Sequence, residues 1–264
     1  MQFEKLNDVT LHYQVIGAPE GKPVIVFSNS LGTDFRIWRD VIVQLVGDFS
    51  IVTYDKRGHG LSDAPSAPYS IDDHVNDLAA LLDHLDVKGA IICWLSVGGL
   101  IAQGLTLSRP DLVKALVLCD TGHKIGDAAL WNGRIKSVKE IGIPAISDLI
   151  LERWFSIGYR DPENPAFTGY RHMLERTSVE GYMGTCAAIR DTDFTEQTAT
   201  IKVPTLCIVG SEDGATPPAL VVELAKLIKG ARYEVIEGAG HLPCIEKPDA
   251  LFDIMQIFLQ GLDD

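Results

Sequence analysis

Basic residues are in short supply in this sequence: 23 Lys and Arg stand against 36 Asp and Glu, a formal net charge of −13. Phosphate recognition needs clustered Lys and Arg, so this balance argues against a nucleic-acid partner. It also disfavours highly anionic substrates, except where local basic residues override the global charge. Cysteine is sparse too. Cys93, Cys119, Cys186, Cys207 and Cys244 are scattered, with no CxxC pair and no Cys/His metal spacing among them. Three of them, Cys93, Cys119 and Cys207, lie in apolar β-like runs, where cysteine behaves as a small hydrophobe. Reduced thiols in a cytoplasmic setting are the expectation. Long apolar runs are also missing: none reaches the roughly 20 residues of a membrane span. The start, MQFEKLNDVTLHY, has no basic segment followed by an apolar one, so neither a signal peptide nor a membrane partner is expected. Internal repeats and low-complexity segments are absent.

What is present is enough apolar material for a core. Of 264 residues 46% are hydrophobic, which suits one large α/β domain or a domain with one insertion. Two β-like runs, near 2–6 and 9–15, resemble an antiparallel hairpin at a sheet edge. Short apolar runs then alternate with amphipathic helical segments. The runs are VIVFS at 24–28, FSIVTY at 49–54, AIICWL at 90–95 and ALVLCD at 115–120, and the helices fall near 35–47, 71–86 and 98–109. Continuous Val/Ile/Leu runs separated by helices indicate parallel strands buried on both faces. The alternation resumes with TLCIVG at 205–210, a helix near 217–229, YEVIEG at 233–238 and a helix near 247–261. Between them only helical patterns occur, around 128–141, 144–157, 165–176 and 178–189. The expected architecture is therefore a mostly parallel central sheet flanked by helices. Residues 1–120 and 200–264 would form its core, and 121–199 a helical cap inserted between core strands. Ligands of open α/β sheets bind at the carboxyl ends of the strands, so such a cap would roof a pocket.

Three residues each stand just after a β-like run. AIICWL leads straight into Ser96-Val97-Gly98-Gly99 and a helix, and a serine on a sharp strand-to-helix turn projects its hydroxyl above the sheet edge. The same pattern also serves as a plain helix N-cap. Asp213 follows TLCIVG in Gly210-Ser-Glu-Asp213-Gly, where a surface turn is the ordinary reading and Glu212 is a neighbouring alternative acid. His241 follows the last run in Gly238-Ala-Gly-His241-Leu-Pro. Singly these are weak signals. Together, Ser then acid then His is the chain order by which one sheet edge presents a nucleophile, its base and the acid that orients the base. Ser96, Asp213 and His241 are thus the candidate catalytic residues. The oxyanion hole is expected from the backbone N–H of Val97 and of Leu31, the latter in the loop Ser28-Asn-Ser-Leu-Gly32. Two N–H groups aimed at one oxygen lower the barrier by about 3–4 kcal/mol each. His59, in Asp55-Lys-Arg-Gly-His-Gly-Leu-Ser62, reads as a residue that orders a loop.

These motifs, with Gly240-His241 and Asn29-Ser-Leu-Gly32 in the place of the usual His-Gly, make the chain resemble α/β-hydrolase-fold proteins over essentially its full length. Within them it looks most like the 3-oxoadipate enol-lactonases of the β-ketoadipate pathway of aromatic catabolism. That closer resemblance is carried by Ser28-Asn-Ser-Leu-Gly-Thr-Asp34, Lys124-Ile-Gly through Trp131-Asn-Gly-Arg134-Ile, Glu152-Arg-Trp-Phe155, Glu180-Gly-Tyr182 and Ala187-Ala-Ile-Arg190-Asp-Thr-Asp193. It implies a serine ester hydrolase that opens an enol-lactone through an acyl-enzyme, with no metal or organic cofactor. The implied partner is a small-molecule ester or lactone, and a homo-oligomer is compatible with the sequence. Such a lactone keeps one free carboxylate, which a cap arginine can grip with two parallel hydrogen bonds. Arg134 is the first candidate and Arg190 the second, with Trp131 and Trp154 as walls.

One position departs from the family. Its elbow reads Gly-x-Ser-x-Gly, whereas here Trp94 stands two residues before Ser96. Strand, turn and helix crowd together at that point, and overpacking costs about 1–3 kcal/mol. The expectation is that Trp94 reshapes the pocket; the alternative is that neighbours make room and it is core. Rival functions are a broader carboxylesterase or lactonase, a C–C hydrolase or perhydrolase on the same scaffold, and a non-catalytic ligand-binding member impaired at the elbow.

Overall fold

The computed structural model describes residues 1–17 and 21–262. Its centre is a single eight-stranded sheet in the order β1-β2-β4-β3-β5-β6-β7-β8. The strands are β1 (Gln2–Leu6), β2 (Val9–Ile16), β3 (Val24–Ser28), β4 (Ser50–Tyr54), β5 (Ala90–Leu95), β6 (Val113–Cys119), β7 (Thr205–Gly210) and β8 (Arg232–Ile236). β1, β2 and β4 pair antiparallel, and every pairing from β4 through β8 is parallel. The two kinds of strand differ as their sequences do. β1 alternates and keeps one side in solvent, while every residue of β5 and β7 is buried.

Helices cover both faces: α1 (Arg39–Leu45), α2 (Ile71–His84), α3 (Val97–Ser108), α9 (Pro218–Leu227), the short α10 (Pro243–Glu246) and α11 (Pro248–Gln260). Between β6 and β7 lie α4 (Ala128–Ile141), α5 (Ser147–Trp154), α6 (Pro165–Glu175), α7 (Val179–Arg190) and the single-turn α8 (Thr195–Thr198), with no strand among the described residues. Side chains start these helices. Ser70 and Asp73 cap α2 reciprocally, and Asp127, Asn164 and Ser178 each accept a backbone N–H at the start of α4, α6 and α7. None of the described helices is long and apolar enough to cross a membrane.

Two segments that the periodicity reads as single helices are divided. Residues 35–47 become a 3-10 turn over Phe35–Trp38 followed by α1, because the Trp38 indole is buried and donates to the Ser28 carbonyl at 2.9 Å. Residues 144–157 become a 3-10 turn opened by Pro144, followed by α5, which stops at Trp154. Phe155 is extended there, its ring packed against Tyr159, Phe167 and Tyr170, and this aromatic cluster draws the chain out of the helix.

Register decides what the sheet edge presents. Ser28 is level with Trp94, and Leu95 with Cys119. The loop after β3, the turn after β5 and the residues after β6 therefore leave the sheet side by side. Gly210 is level with Ile236, so the loops after β7 and β8 emerge together as well.

Candidate active site

Ser96 sits between β5 and α3 with φ 61° and ψ −122°, a left-handed backbone that a non-glycine residue adopts only under constraint. The constraint is visible. The Ser96 N–H donates to the Cys119 carbonyl at 3.0 Å, and the Ser96 carbonyl accepts from Thr121 Oγ1 at 2.6 Å and from the Gly99 N–H at 2.8 Å. Glycine is needed at 99, since a Cβ there would stand 2.4 Å from Thr121. Val97 opens α3, where a helix has N–H groups without intrahelical partners.

His241 and Asp213 meet from the loops after β8 and β7. His241 Nδ1 lies 2.9 Å from Asp213 Oδ2, and both side chains are buried. The carboxylate also accepts from the Ala215 and Thr216 N–H groups at 2.7 and 3.0 Å and from Thr216 Oγ1 at 2.6 Å. Burial acts to raise the Asp213 pKa, but the charge of His241 and these hydrogen bonds outweigh it and hold the carboxyl below its ordinary value. Glu212, the alternative acid, is exposed. Asp120, fully buried after β6, accepts the Gly210 N–H at 2.9 Å. Burial first, and the charge of Asp213 second, push its carboxyl well above the usual range. Asp120, Asp213 and His241 each offer a donor atom within 4.8 Å of the others, the geometry of a small metal site. His241 Nδ1 and Asp213 Oδ2 are engaged with each other and Asp120 Oδ1 with the Gly210 N–H, while Asp120 Oδ2 is buried without a hydrogen-bond partner.

The end of α5 is fastened to both loops. The Trp154 carbonyl accepts the His241 N–H at 2.8 Å, and the Arg153 carbonyl accepts the Gly214 N–H at 3.2 Å. Glu246 joins Ser156 to the Gly240 N–H in the same place.

Facing these, the loop after β3 is held from below. The Gly32 N–H donates to His59 Nε2 at 3.0 Å and His59 Nδ1 lies 3.2 Å from the Arg57 carbonyl, so His59 orders a loop as its sequence context suggests. Burial, reinforced by the charge of Lys56, pushes the His59 pKa well down and keeps the ring neutral.

Ser96, His241, Ser30 and Leu31 line one cavity of about 80 Å³. Trp131, Trp154, Ile150 and Ile189 supply apolar wall, and Arg134 and Arg153 bring two guanidinium groups. Arg134 Nη1 donates to the Tyr182 hydroxyl at 3.0 Å. Of the residues singled out in the sequence, Ser96, His241, Leu31, Trp131, Trp154 and Arg134 are thus brought together, with Asp213 directly behind His241.

Two are placed elsewhere. Arg190 spends its guanidinium on Asp191, at 2.7 and 2.6 Å, and on Asn132 at 2.9 Å, outside the cavity. Trp94 is fully buried and does not line the cavity. Its ring packs 5.9 Å from that of Tyr54, and a Cβ on Gly98 would come within 3.3 Å of it, so Gly98 and the core around Tyr54 make the room. Three contributors escaped the sequence reading. Arg153 adjoins the singled-out Trp154, Thr216 is three residues from Asp213, and Lys56 lies inside the motif that holds His59.

Residues 20–248 match the family described as "Serine aminopeptidase, S33". The chain is 35% identical to 3-oxoadipate enol-lactonase 2 of Acinetobacter baylyi over 244 residues, covering 92% of this chain and 91% of that one. With 3-oxoadipate enol-lactonase 1 of the same organism it shares 32% identity over 96% of this chain and 94% of that one. Among solved structures, the enol-lactonase from Burkholderia xenovorans superposes with a TM-score of 0.94 at 37% identity, covering 98% of this chain and all of that one. The match over most of its length, and these relatives, show that the chain belongs to the α/β-hydrolase family and is a hydrolase of that family.

Proposed function

We propose that the protein hydrolyses an enol-lactone, converting 3-oxoadipate enol-lactone to 3-oxoadipate through an acyl-enzyme on Ser96. The observation that carries the reading is one cavity lined by Ser96 on its constrained turn, by His241 backed by Asp213 at 2.9 Å, and by two arginines. The names of the enol-lactonase relatives support the choice of substrate.

In this mechanism His241 takes the Ser96 proton as Oγ bonds to the lactone carbonyl carbon, and Asp213 holds the imidazole and stabilises its charged form. The N–H groups of Leu31 and Val97 bind the oxyanion. Collapse of the tetrahedral intermediate breaks the ring C–O bond, and the enolate formed takes the proton held by His241 as it becomes the ketone, which leaves the imidazole neutral. His241 then deprotonates a water that attacks the acyl carbon, and Ser96 leaves with its proton restored. The free carboxylate of the substrate is gripped by Arg134, with Arg153 as a second cation on the same cavity. Residues 121–199 act as a cap that closes over the sheet end and excludes water. The five cysteines are free and buried, which suits a reducing cytoplasm.

Purified protein assayed against the enol-lactone and short p-nitrophenyl esters tests this, together with fluorophosphonate labelling. The expected result is turnover of the lactone at a higher kcat/KM than any p-nitrophenyl ester, with the label on Ser96. Preference for simple esters would make the protein a general esterase, and absence of labelling would make it a binding protein.

A further inference from the structure

We propose that Lys56 is a positioning residue for the oxyanion site: buried beneath the loop after β3, it grips the Ser30 carbonyl and thereby aims the Leu31 N–H of the same peptide. The proposal deepens the functional reading above and rests on it.

Lys56 is only 1% exposed. Its Nζ lies 2.6 Å from the Ser30 carbonyl oxygen and 3.4 Å from that of Asn29. A peptide is planar and trans, so the Ser30 C=O and the Leu31 N–H point in opposite directions from one rigid unit. Whatever fixes that oxygen fixes the direction of the N–H. Thr33 adds to the grip, its Oγ1 donating to the Ser30 oxygen at 3.1 Å and its N–H at 3.4 Å. The residues on either side of this peptide, Ser30 and Leu31, line the cavity that Ser96 and His241 share. A donor on the carbonyl also draws electron density from the amide and makes its N–H a stronger donor to developing negative charge.

Packing alone does not call for lysine here. An apolar side chain of similar volume would fill the site without the cost of desolvating an amine. That cost is evident, since burial pushes the Lys56 pKa well below its usual range against the opposing pull of Asp55 and Asp34. Other bonds hold the rest of the loop and leave the Ser30–Leu31 peptide to Lys56 and Thr33. The Gly32 N–H is held by His59, and the Asn29 side-chain amide donates to the Thr33 carbonyl. What Lys56 contributes is a donor, and when protonated a charge, on the far side of the oxyanion peptide.

The test compares wild type with Lys56→Met, Lys56→Gln and Ser96→Ala, measuring kcat, KM and the inhibition constant of a trifluoromethyl ketone whose serine adduct carries an oxyanion. In Lys56→Met, kcat should fall about ten- to a hundredfold, less than or comparable to losing a whole oxyanion donor, with KM within about twofold. The ketone should weaken by the same factor as kcat/KM. Lys56→Gln, which keeps an N–H donor without the charge, should fall between. A kcat and an inhibition constant within about twofold of wild type would overturn the proposal, as would equal losses in kcat and substrate binding. If Lys56→Met does not fold, Lys56→Gln decides on the same readouts. Ser96→Ala separates the two readings: full activity there removes the nucleophile assignment itself, whereas an inactive Ser96→Ala beside a fully active Lys56→Met removes only the role of Lys56.

Discussion

His241 Nδ1 and Asp213 Oδ2 are 2.9 Å apart in a buried pair, and Thr216 Oγ1 reaches both, 2.6 Å from the carboxylate oxygen and 3.2 Å from the ring nitrogen. Because a hydroxyl rotates to suit its partners, Thr216 tolerates a change in the acid that His241 does not. In Asp213→Asn the amide keeps the shape but offers an N–H toward Nδ1, favouring the wrong tautomer. A fall in kcat of about 10⁴ is expected, with the melting temperature little changed. Steady-state kinetics on the unlabelled variant and wild type check it; a loss below about tenfold would mean that another group orients the base.

Trp94 is core, so its removal should be felt in stability before catalysis. Trp94→Gly restores the family's usual small residue but leaves a large void beside Tyr54 and Gly98. Destabilisation of about 3–5 kcal/mol is expected by denaturant titration, with kcat/KM within a few-fold of wild type. A large change in kcat/KM at unchanged stability would show instead that the indole shapes the pocket.

Arg134 and Arg153 both border the cavity, but only substrates with a free carboxylate need them. Arg134→Met should raise KM for the anionic lactone by roughly tenfold or more, the scale of one charge-assisted pair, and leave a neutral p-nitrophenyl ester unaffected. The same measurement on Arg153→Met ranks the two. Equal KM changes for charged and neutral substrates in Arg134→Met would point to lost packing against Tyr182.

Asp120 predicts a pH dependence. Burial and the neighbouring Asp213 raise its folded pKa, so the folded state binds a proton that the unfolded chain releases near pH 4. That arrangement favours folding fully below pH 4, and the advantage is lost as pH climbs toward the raised folded value. Asp120→Asn mimics the protonated acid, keeping an acceptor for the Gly210 N–H and a donor toward Asp213. Melting temperatures of variant and wild type should therefore coincide near pH 4 and separate as pH rises, the variant melting higher. Parallel curves, or a wild type that gains on the variant, would contradict a protonated Asp120.

The order of elements and the placement of Ser96, Asp213 and His241 are legible in sequence for one reason. Each residue directly follows an apolar β run, and the end of a parallel strand is a place that needs no tertiary knowledge to locate. Lys56 and Arg153 are illegible for the opposite reason. A lysine between Asp55 and Arg57 reads as a solvated charge, and only the approach of the β3 loop from 26 residues earlier makes it a buried donor. Trp94 is half legible. The crowding is foreseeable from its distance to the elbow serine, but which neighbours yield depends on the register that sets Ser28 and Leu118 on either side of it. Arg190 shows the reverse error. Its helix approaches the cavity through Ile189, one residue away, and a single step along a helix turns a side chain by about 100°.

The bonds from the end of α5 to the loops of His241 and Asp213 limit how the molecule can breathe. Lifting α5 would pull on the backbone of His241 and Gly214, so that stretch behaves as an anchor. A movement that widened the cavity while keeping those bonds would have to come from other parts of its wall, among them Trp131 and Arg134 of α4.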